Sequence, residues 1–499
     1  MKPAGPGAVD WSYETLPARS IHRRLPDPAT APLHGSARDG AGRQGQRAGW
    51  MREATSQTDE TLTNSVELHF EIKRGETGVK ISMESTFVET LSHEPISMTS
   101  TQSMAANPVT TTAKFLEDGL EVTVDQSGNT STQKQPLPEG QWLTPGGAKE
   151  YFQKRMEAGA ETITVRSIDP MAGTRPIIST YENFRQETIE VFGREVQALR
   201  ATLTTSEMAG IKTTEYLDDK GRMLKSSTNL GGLEMTVIAA DKELALSKLD
   251  APELMQSTLV SPKGKFKSPR TVKHAVYLLS VPDGKLDSLP DVPSQKQTRI
   301  DERTIRLDVT MGENAPKEDE PGPEYLEASS MLDINDPVVR ELATKAHPKH
   351  DAPSSVAAEA MRRFVFEHID EKNLGVGMGS ASEVARTCTG DCTEHATLLA
   401  ALLRAEGIPS RVVSGLVYVN SFEGAQDIFG YHMWSQAWVE LDGNAQWVDY
   451  DATLGPYGRF DATHIALSVS AMQDNETNNS MIALVPLLGR LEIEIESSK

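Results

Sequence analysis

The chain holds two cysteines, Cys388 and Cys392, both within CTGDCTEHATLLAALLRAEGIPSR (388–411). A cysteine does acyl chemistry as its thiolate, so it needs a setting that favours the anion and a neighbouring base to manage the proton. Cys392 stands directly before a run of strong helix formers in which Leu398, Leu399, Leu402 and Leu403 are spaced to face a core. Gly407 is placed to stop that helix and Pro409 to forbid its resumption. These residues predict a helix over 393–406 with Cys392 at its N-terminus, where unsatisfied N–H groups and the macrodipole favour a thiolate. The same amides can hold a developing oxyanion.

The base comes from downstream. SRVVSGLVYV (410–419) reads as a strand, NSFEGAQDIFG as a loop, and YHMWSQAWVEL (431–441) as a second strand. Alternation puts His432, Trp434, Gln436 and Trp438 on one face and Met433, Ser435, Ala437 and Val439 on the other. A third strand, QWVDYDATLG (446–455), offers Asp449 and Asp451, which share one parity and are not separated by periodicity. A thiol at a helix start, a strand imidazole and a carboxylate on the next strand are the parts of a Cys-His-Asp triad. Trp434 and Gln436, on the face of His432, are the candidates for lining a substrate cleft. Cys388 reads as a spare thiol. Cys388, Cys392 and His395 are zinc-ligand types, but no fourth ligand stands at a usual spacing, so no metal site is expected. His395 is expected to face solvent or a neighbouring loop, and His464, in DATHIAL, to be structural.

These residues are positioned by an α+β region that follows a long β-rich one. From about Thr61 apolar and polar residues alternate, as in SVELHFEI (65–72) and VKISMEST (79–86) around KRGETG, a hairpin signal. Further strands are expected at 113–124, 161–167, 195–205, 211–227 and 232–240, and GLEVTV (119–124) echoes GLEMTV (232–237), a hint of two related halves. A third strand-rich stretch, 258–311, includes HAVYLLSV (274–281) and RTIRLDVTM (303–311). GENAPKEDEPGPEY (312–325) is too rich in Pro, Gly and acid to bury apolar area and reads as a linker. Helices follow: NDPVVRELATKAH (335–347), with Asp at an N-cap and Val338, Leu342 and Ala346 on one face, and SSVAAEAMRRFVFEHIDEK (354–372), with Val356, Ala360, Phe364 and Ile369 on one face. The expected organisation is a poorly ordered segment at 1–50, a β-rich region at 51–311, the linker at 312–325 and a catalytic domain at 326–499.

The ordered pieces, G-x-C before an Ala- and Leu-rich helix, LLRAEGIPSRVVSGL, YHMWSQAWVEL and WVDYDAT, resemble the transglutaminase-like superfamily over about residues 330–470. DINDPVVRELA resembles the helix that precedes this core in bacterial members. The resemblance implies a papain-like α+β fold with Cys392 as nucleophile, His432 as general base and Asp451 as the carboxylate orienting the imidazole. The family pattern of Trp, three residues, Asp, then a small residue or Pro and Thr selects Asp451 over Asp449. This chain carries Ala452 where Pro is common and Gln436 where members often carry Glu.

Composition bounds the partners. A formal charge of −21 argues against nucleic acid, whose phosphates are met by clustered Lys and Arg. No stretch approaches the roughly 18 uninterrupted apolar residues of a membrane span. The first 50 residues, with seven Lys or Arg against four Asp or Glu, lack the apolar core of a secretory signal, and the compartment is left open. No Asp-rich loop has calcium-binding spacing, so no cofactor is expected. The function expected is thiol-dependent acyl chemistry on a protein or peptide substrate, as a cysteine protease or amidase or as a glutamine acyltransferase. The alternative is a binding protein that uses its β region and carries a vestigial triad.

Overall fold

The computed structural model describes residues 8–10, 31–36 and 46–499, apart from 75–76, 105–106, 127, 209, 231–232, 253–257, 313–319, 348–351, 375–376, 423, 442 and 475–483. Most of the segment at 1–50 and half of the linker at 312–325 lie outside the described residues. Two compact units divide the chain, Met1–Ser257 and Thr258–Lys499.

The first unit is built on one 15-stranded sheet. Its strands between 162 and 238 lie in chain order, followed by those between 8 and 135, again in chain order. Neighbours are antiparallel except at the junction, where Val9 pairs in parallel with Met235. The hairpin expected around KRGETG forms over its full length, Thr61 opposite Thr90 and Arg74 opposite Thr77. The stretch at 113–124 is two strands, Asn107–Leu116 and Gly119–Gln126, because Glu117 and Asp118 make a tight turn. Alternation then sends Leu120, Val122 and Val124 into a core with Phe87, Met98, Ala113 and Ile168. Sequence periodicity gave no sign of the helix Pro145–Glu157, whose first turn is fixed by the buried Glu89 accepting from the Gly146 amide (2.9 Å).

The second unit contains two four-stranded sheets. In one the order is Gln295–Asp301, Thr304–Thr310, His274–Ser280 and Glu492–Ser498, all antiparallel. The strands of 274–310 therefore belong with the C-terminal unit, and the divide falls before them rather than at 312–325. Composition marks a local break in the chain, whereas the unit is defined by the pairing of His274–Ser280 with the last strand, Leu279 opposite Ile493. The other sheet, in the order Asn444–Tyr450, Ala425–Leu441, Ser410–Phe422, His464–Ser470, carries the candidate site. The segment read as a loop at 420–430 is mostly strand: Ser421 pairs with Gln426 and Val419 with Ile428.

Four helices accompany that sheet, Pro337–Ala346, Ser354–His368, Ala381–Thr387 and Cys392–Ala405; the second and fourth pack on it, and the first and third pack chiefly on the fourth. Asp336 caps the first, accepting from the Val338 amide at 2.8 Å. The second buries Ala357, Ala358, Met361, Arg362 and Val365, whereas Val356 is 52% exposed. Of the face expected from Val356, Ala360, Phe364 and Ile369, Ile369 is in the core and Phe364 packs against it, whereas Val356 at the other end points outward. The helix has apolar residues on two sides, and tertiary contact chose the one with the small alanines, which admit close approach. Ala381–Thr387 is short and held by a Ser380–Glu383 capping box, too brief for a periodicity signal.

Candidate functional site

Cys392 opens the helix Cys392–Ala405, which is buried on nearly every side, with Leu398, Leu399, Leu402 and Leu403 fully enclosed. Asp391 is its N-cap, and the capping box closes with Glu394, whose Oε2 accepts from the Asp391 amide (2.9 Å). Glu394 Oε1 accepts from the Gly379 amide (3.0 Å), tying the preceding segment to the helix start. Burial, helped by the charge of Asp391, pushes Glu394 up to about 7. Thr393 donates its amide to Asp391 Oδ1 (2.9 Å).

His432 lies in the long strand Ala425–Leu441, opposite Gly415 of Ser410–Phe422. That strand divides its side chains as alternation predicts: Met433, Ala437 and Val439 join the helical core, and Ser435 donates to the Ala396 carbonyl (2.8 Å). His432 Nε2 donates to Asp451 Oδ2 at 2.9 Å, which leaves Nδ1 as the ring nitrogen for a second partner. The charge of Cys392 also acts on this ring, in the direction that favours its protonated form. Burial alone would lower the imidazole; the charge and hydrogen bond of Asp451, with Cys392 adding to them, outweigh it and hold His432 at about 9.

Asp451 sits one residue past the end of Asn444–Tyr450 and is 1% exposed. Its Oδ1 accepts from both the amide (2.8 Å) and the hydroxyl (2.7 Å) of Thr453. Burial would raise this carboxyl, but His432 and His464 hold it well below the usual carboxylate range. Arg362, from the helix Ser354–His368, fixes the turn beyond it by donating to the carbonyls of Leu454 (2.8 Å) and Pro456 (3.2 Å). Asp449 is elsewhere in character: it accepts from Trp434 Nε1 (2.8 Å), Gln436 Nε2 (2.7 Å) and Ser294 Oγ (3.0 Å).

Those bonds also locate the two candidates for a cleft. Trp434 is 2% exposed and Gln436 fully buried, with Gln436 Oε1 accepting from Arg411 Nε (2.7 Å). Both are interior residues that anchor Asp449, which departs from their expected place on a cleft wall. A Gln can accept from Arg411 and donate to Asp449 at once, where a Glu would put a second carboxylate against Asp449.

His395 is buried, 2% exposed, rather than turned to solvent. Its Nδ1 donates to the Asp391 carbonyl (2.7 Å), and burial lowers its pKa. Cys388 ends the helix Ala381–Thr387 in a left-handed conformation (φ 55°), with Sγ 3.6 Å from His368 Nε2. Burial raises its thiol pKa, with the Asp370 charge in the same direction.

His464 is the residue whose place the sequence reading missed. It is fully buried, and its Nε2 meets the same Asp451 oxygen as His432, at 3.3 Å. The ligand-type atoms of His432, Asp451 and His464 lie within 4.8 Å of one another, and the hydrogen bonds of the two imidazoles to one carboxylate account for that grouping. The available signal was the repeated Asp-Ala-Thr, at 451–453 and 461–463.

Residues 338–452 match the family model of the transglutaminase-like superfamily core. Among solved structures the chain is similar to a Cytophaga hutchinsonii protein described as a "putative cysteine protease", at 17% identity over 46% of this chain and 85% of that one (TM-score 0.26). It is similar to a "putative protease" of Parabacteroides distasonis at 12% identity, over 69% of this chain and 64% of that one (TM-score 0.17). A beta-barrel-like protein of a domain of unknown function from Brucella abortus is similar at 15% identity, over 42% and 92% (TM-score 0.32). No curated protein matches the chain. Behind a strand-rich N-terminal region, the chain carries a domain of the transglutaminase-like superfamily at 338–452.

Proposed function

We propose that the chain cleaves amide or peptide bonds by thiol acyl transfer, with Cys392 as nucleophile, His432 as base and acid, and Asp451 as its orienting carboxylate. The observation that carries this reading is the His432–Asp451 hydrogen bond of 2.9 Å, on an imidazole that also feels the charge of Cys392, a cysteine opening a helix.

The thiolate sulfur attacks the carbonyl carbon and forms an S–C bond. The carbonyl electrons move to oxygen, and as the tetrahedral intermediate collapses the C–N bond breaks while His432 Nδ1 gives its proton to the leaving amine. Water then adds to the thioester, His432 taking its proton, and the acid leaves as the sulfur is freed. The capping box uses the amides of Thr393 and Glu394, so the Cys392 amide is the first-turn N–H placed to meet the oxyanion. An amine in place of water would give transamidation by the same steps.

Digestion of a peptide library, scored for both cleavage and incorporation of a primary amine, tests the reading. Cleavage is expected, with Cys388→Ala active and Cys392→Ala inactive. A Cys392→Ala protein that kept full activity would overturn it.

A further inference from the structure

The two Asp-Ala-Thr segments fold alike. Asp451 Oδ1 is clamped by the amide and hydroxyl of Thr453, and Asp461 Oδ1 by the amide (2.9 Å) and hydroxyl (2.5 Å) of Thr463. His464 stands between the two clamps. Its Nε2 faces Asp451 Oδ2 at 3.3 Å, and its Nδ1 faces the Asp461 carbonyl at 3.1 Å and Asp461 Oδ1 at 3.5 Å. Both ring nitrogens meet only oxygen acceptors, so both act as donors, which an imidazole does as the cation. The aromatic surroundings suit that charge: the Phe460 ring stacks on His464 at 4.1 Å and Trp434 meets it edge-on at 5.4 Å. Behind it, Asp461 Oδ2 pairs with Arg270 Nη1 at 2.9 Å, and Arg270 also donates to Thr463 Oγ1 (3.0 Å) and the Tyr418 carbonyl.

We propose that His464 is a positioning residue of the thiol site: backed by Asp461 and Arg270, it holds the Asp451 carboxylate aimed at His432, so that the triad is the front of a longer row of alternating charge. This rests on the reading of Cys392 as nucleophile. The physical need is clear from Asp451 itself. Its Oδ2 must point at His432 Nε2 while it is enclosed among buried groups, and a second donor on the same oxygen, opposite the Thr453 clamp, removes the freedom to rotate away. His464 touches neither the thiol nor the scissile bond, and acts only through Asp451.

The test needs no known substrate. The full chain with Cys388→Ser is alkylated with iodoacetamide, so that the rate reports Cys392 alone, and thermal unfolding is followed on each variant. His464→Leu is expected to slow alkylation at neutral pH about 10-fold or more, whereas His464→Gln, which returns a neutral N–H donor, should recover to within about 3-fold of the parent. Asp461→Asn, one step further back, is expected to slow alkylation about 3-fold and decides the matter if the Leu variant does not fold. Equal rates in all variants, or equal losses with Leu and Gln, would overturn the positioning role while leaving the thiol reading intact. A parent Cys392 that reacts no faster than a cysteine in the unfolded chain would instead overturn the thiol reading, and the positioning role with it.

Discussion

Two histidines share one carboxylate oxygen, and their surroundings separate their work. His432 gives Asp451 one of its nitrogens; His464 spends both of its nitrogens on Asp451 and Asp461. Asp451→Asn keeps the shape but presents an amide that cannot accept from both imidazoles as a carboxylate does. A fall in amide-cleavage rate of roughly 10²–10⁴-fold with little change in fold is expected, read from the initial rate beside the circular dichroism spectrum. Gly415, opposite His432, is a second sensitive point. A Cβ there would lie 2.1 Å from the Ile465 carbonyl oxygen and 2.7 Å from Trp434, and backbone cannot move aside cheaply. Gly415→Ala is expected to lower stability by about 1–3 kcal/mol in denaturant unfolding. Cys392 and His432 were legible as residues because a thiol before a helix and an imidazole on a following strand each leave a local pattern. For His464 the one local sign was the repeated Asp-Ala-Thr, which does not say that its ring reaches Asp451, thirteen residues away on another turn.

At the scale of elements, the helix Cys392–Ala405 was the clearest prediction: its leucine spacing, Gly407 and Pro409 mark both the buried face and the end, and Gly407 indeed takes φ 77°. What fixes its start is less visible. Glu394 serves the capping box with one oxygen and holds the Gly379 amide with the other. Glu394→Ala is therefore expected to cost about 1–3 kcal/mol and to slow alkylation of Cys392 by loosening the helix start, measured by unfolding and by iodoacetamide rate together. A stable variant with unchanged thiol reactivity would show that the helix start needs no such anchor. The helix Ser354–His368 shows the opposite limit of periodicity. With apolar residues on two sides, its sequence admitted either face, and the core took Ala357, Ala358, Met361 and Val365.

For the whole second unit, charge buried at the site links folding to pH. His432 and His464 rise from 6.5 to about 9 on folding, so the stability they contribute is complete below 6.5 and is lost as pH climbs through about 9. Glu394, raised from 4.5 to about 7, adds a loss in the same direction from 4.5 upward. Asp451 and Asp461, lowered on folding, contribute stability above 3.8 that is lost as pH falls through their depressed values. The thermal midpoint is expected to fall on the alkaline side, and His464→Gln to flatten that fall; an alkaline limb unchanged by the substitution would contradict the assignment. By itself the sequence determined the residue types, the order of helix and strands around the site, the likeness of 338–452 to the transglutaminase-like superfamily and the place of Cys392 at a helix start, because these follow from patterns short enough to be read along the chain. Only the tertiary structure decided that Asp449 serves Trp434 and Gln436 while Asp451 receives two imidazoles, that the strands from 274 to 310 pair with the last one, and that Trp434 and Gln436 are interior. Those outcomes depend on strand register and on contacts between residues far apart in sequence, and alternation, which gave both aspartates the same parity, carries no information about either.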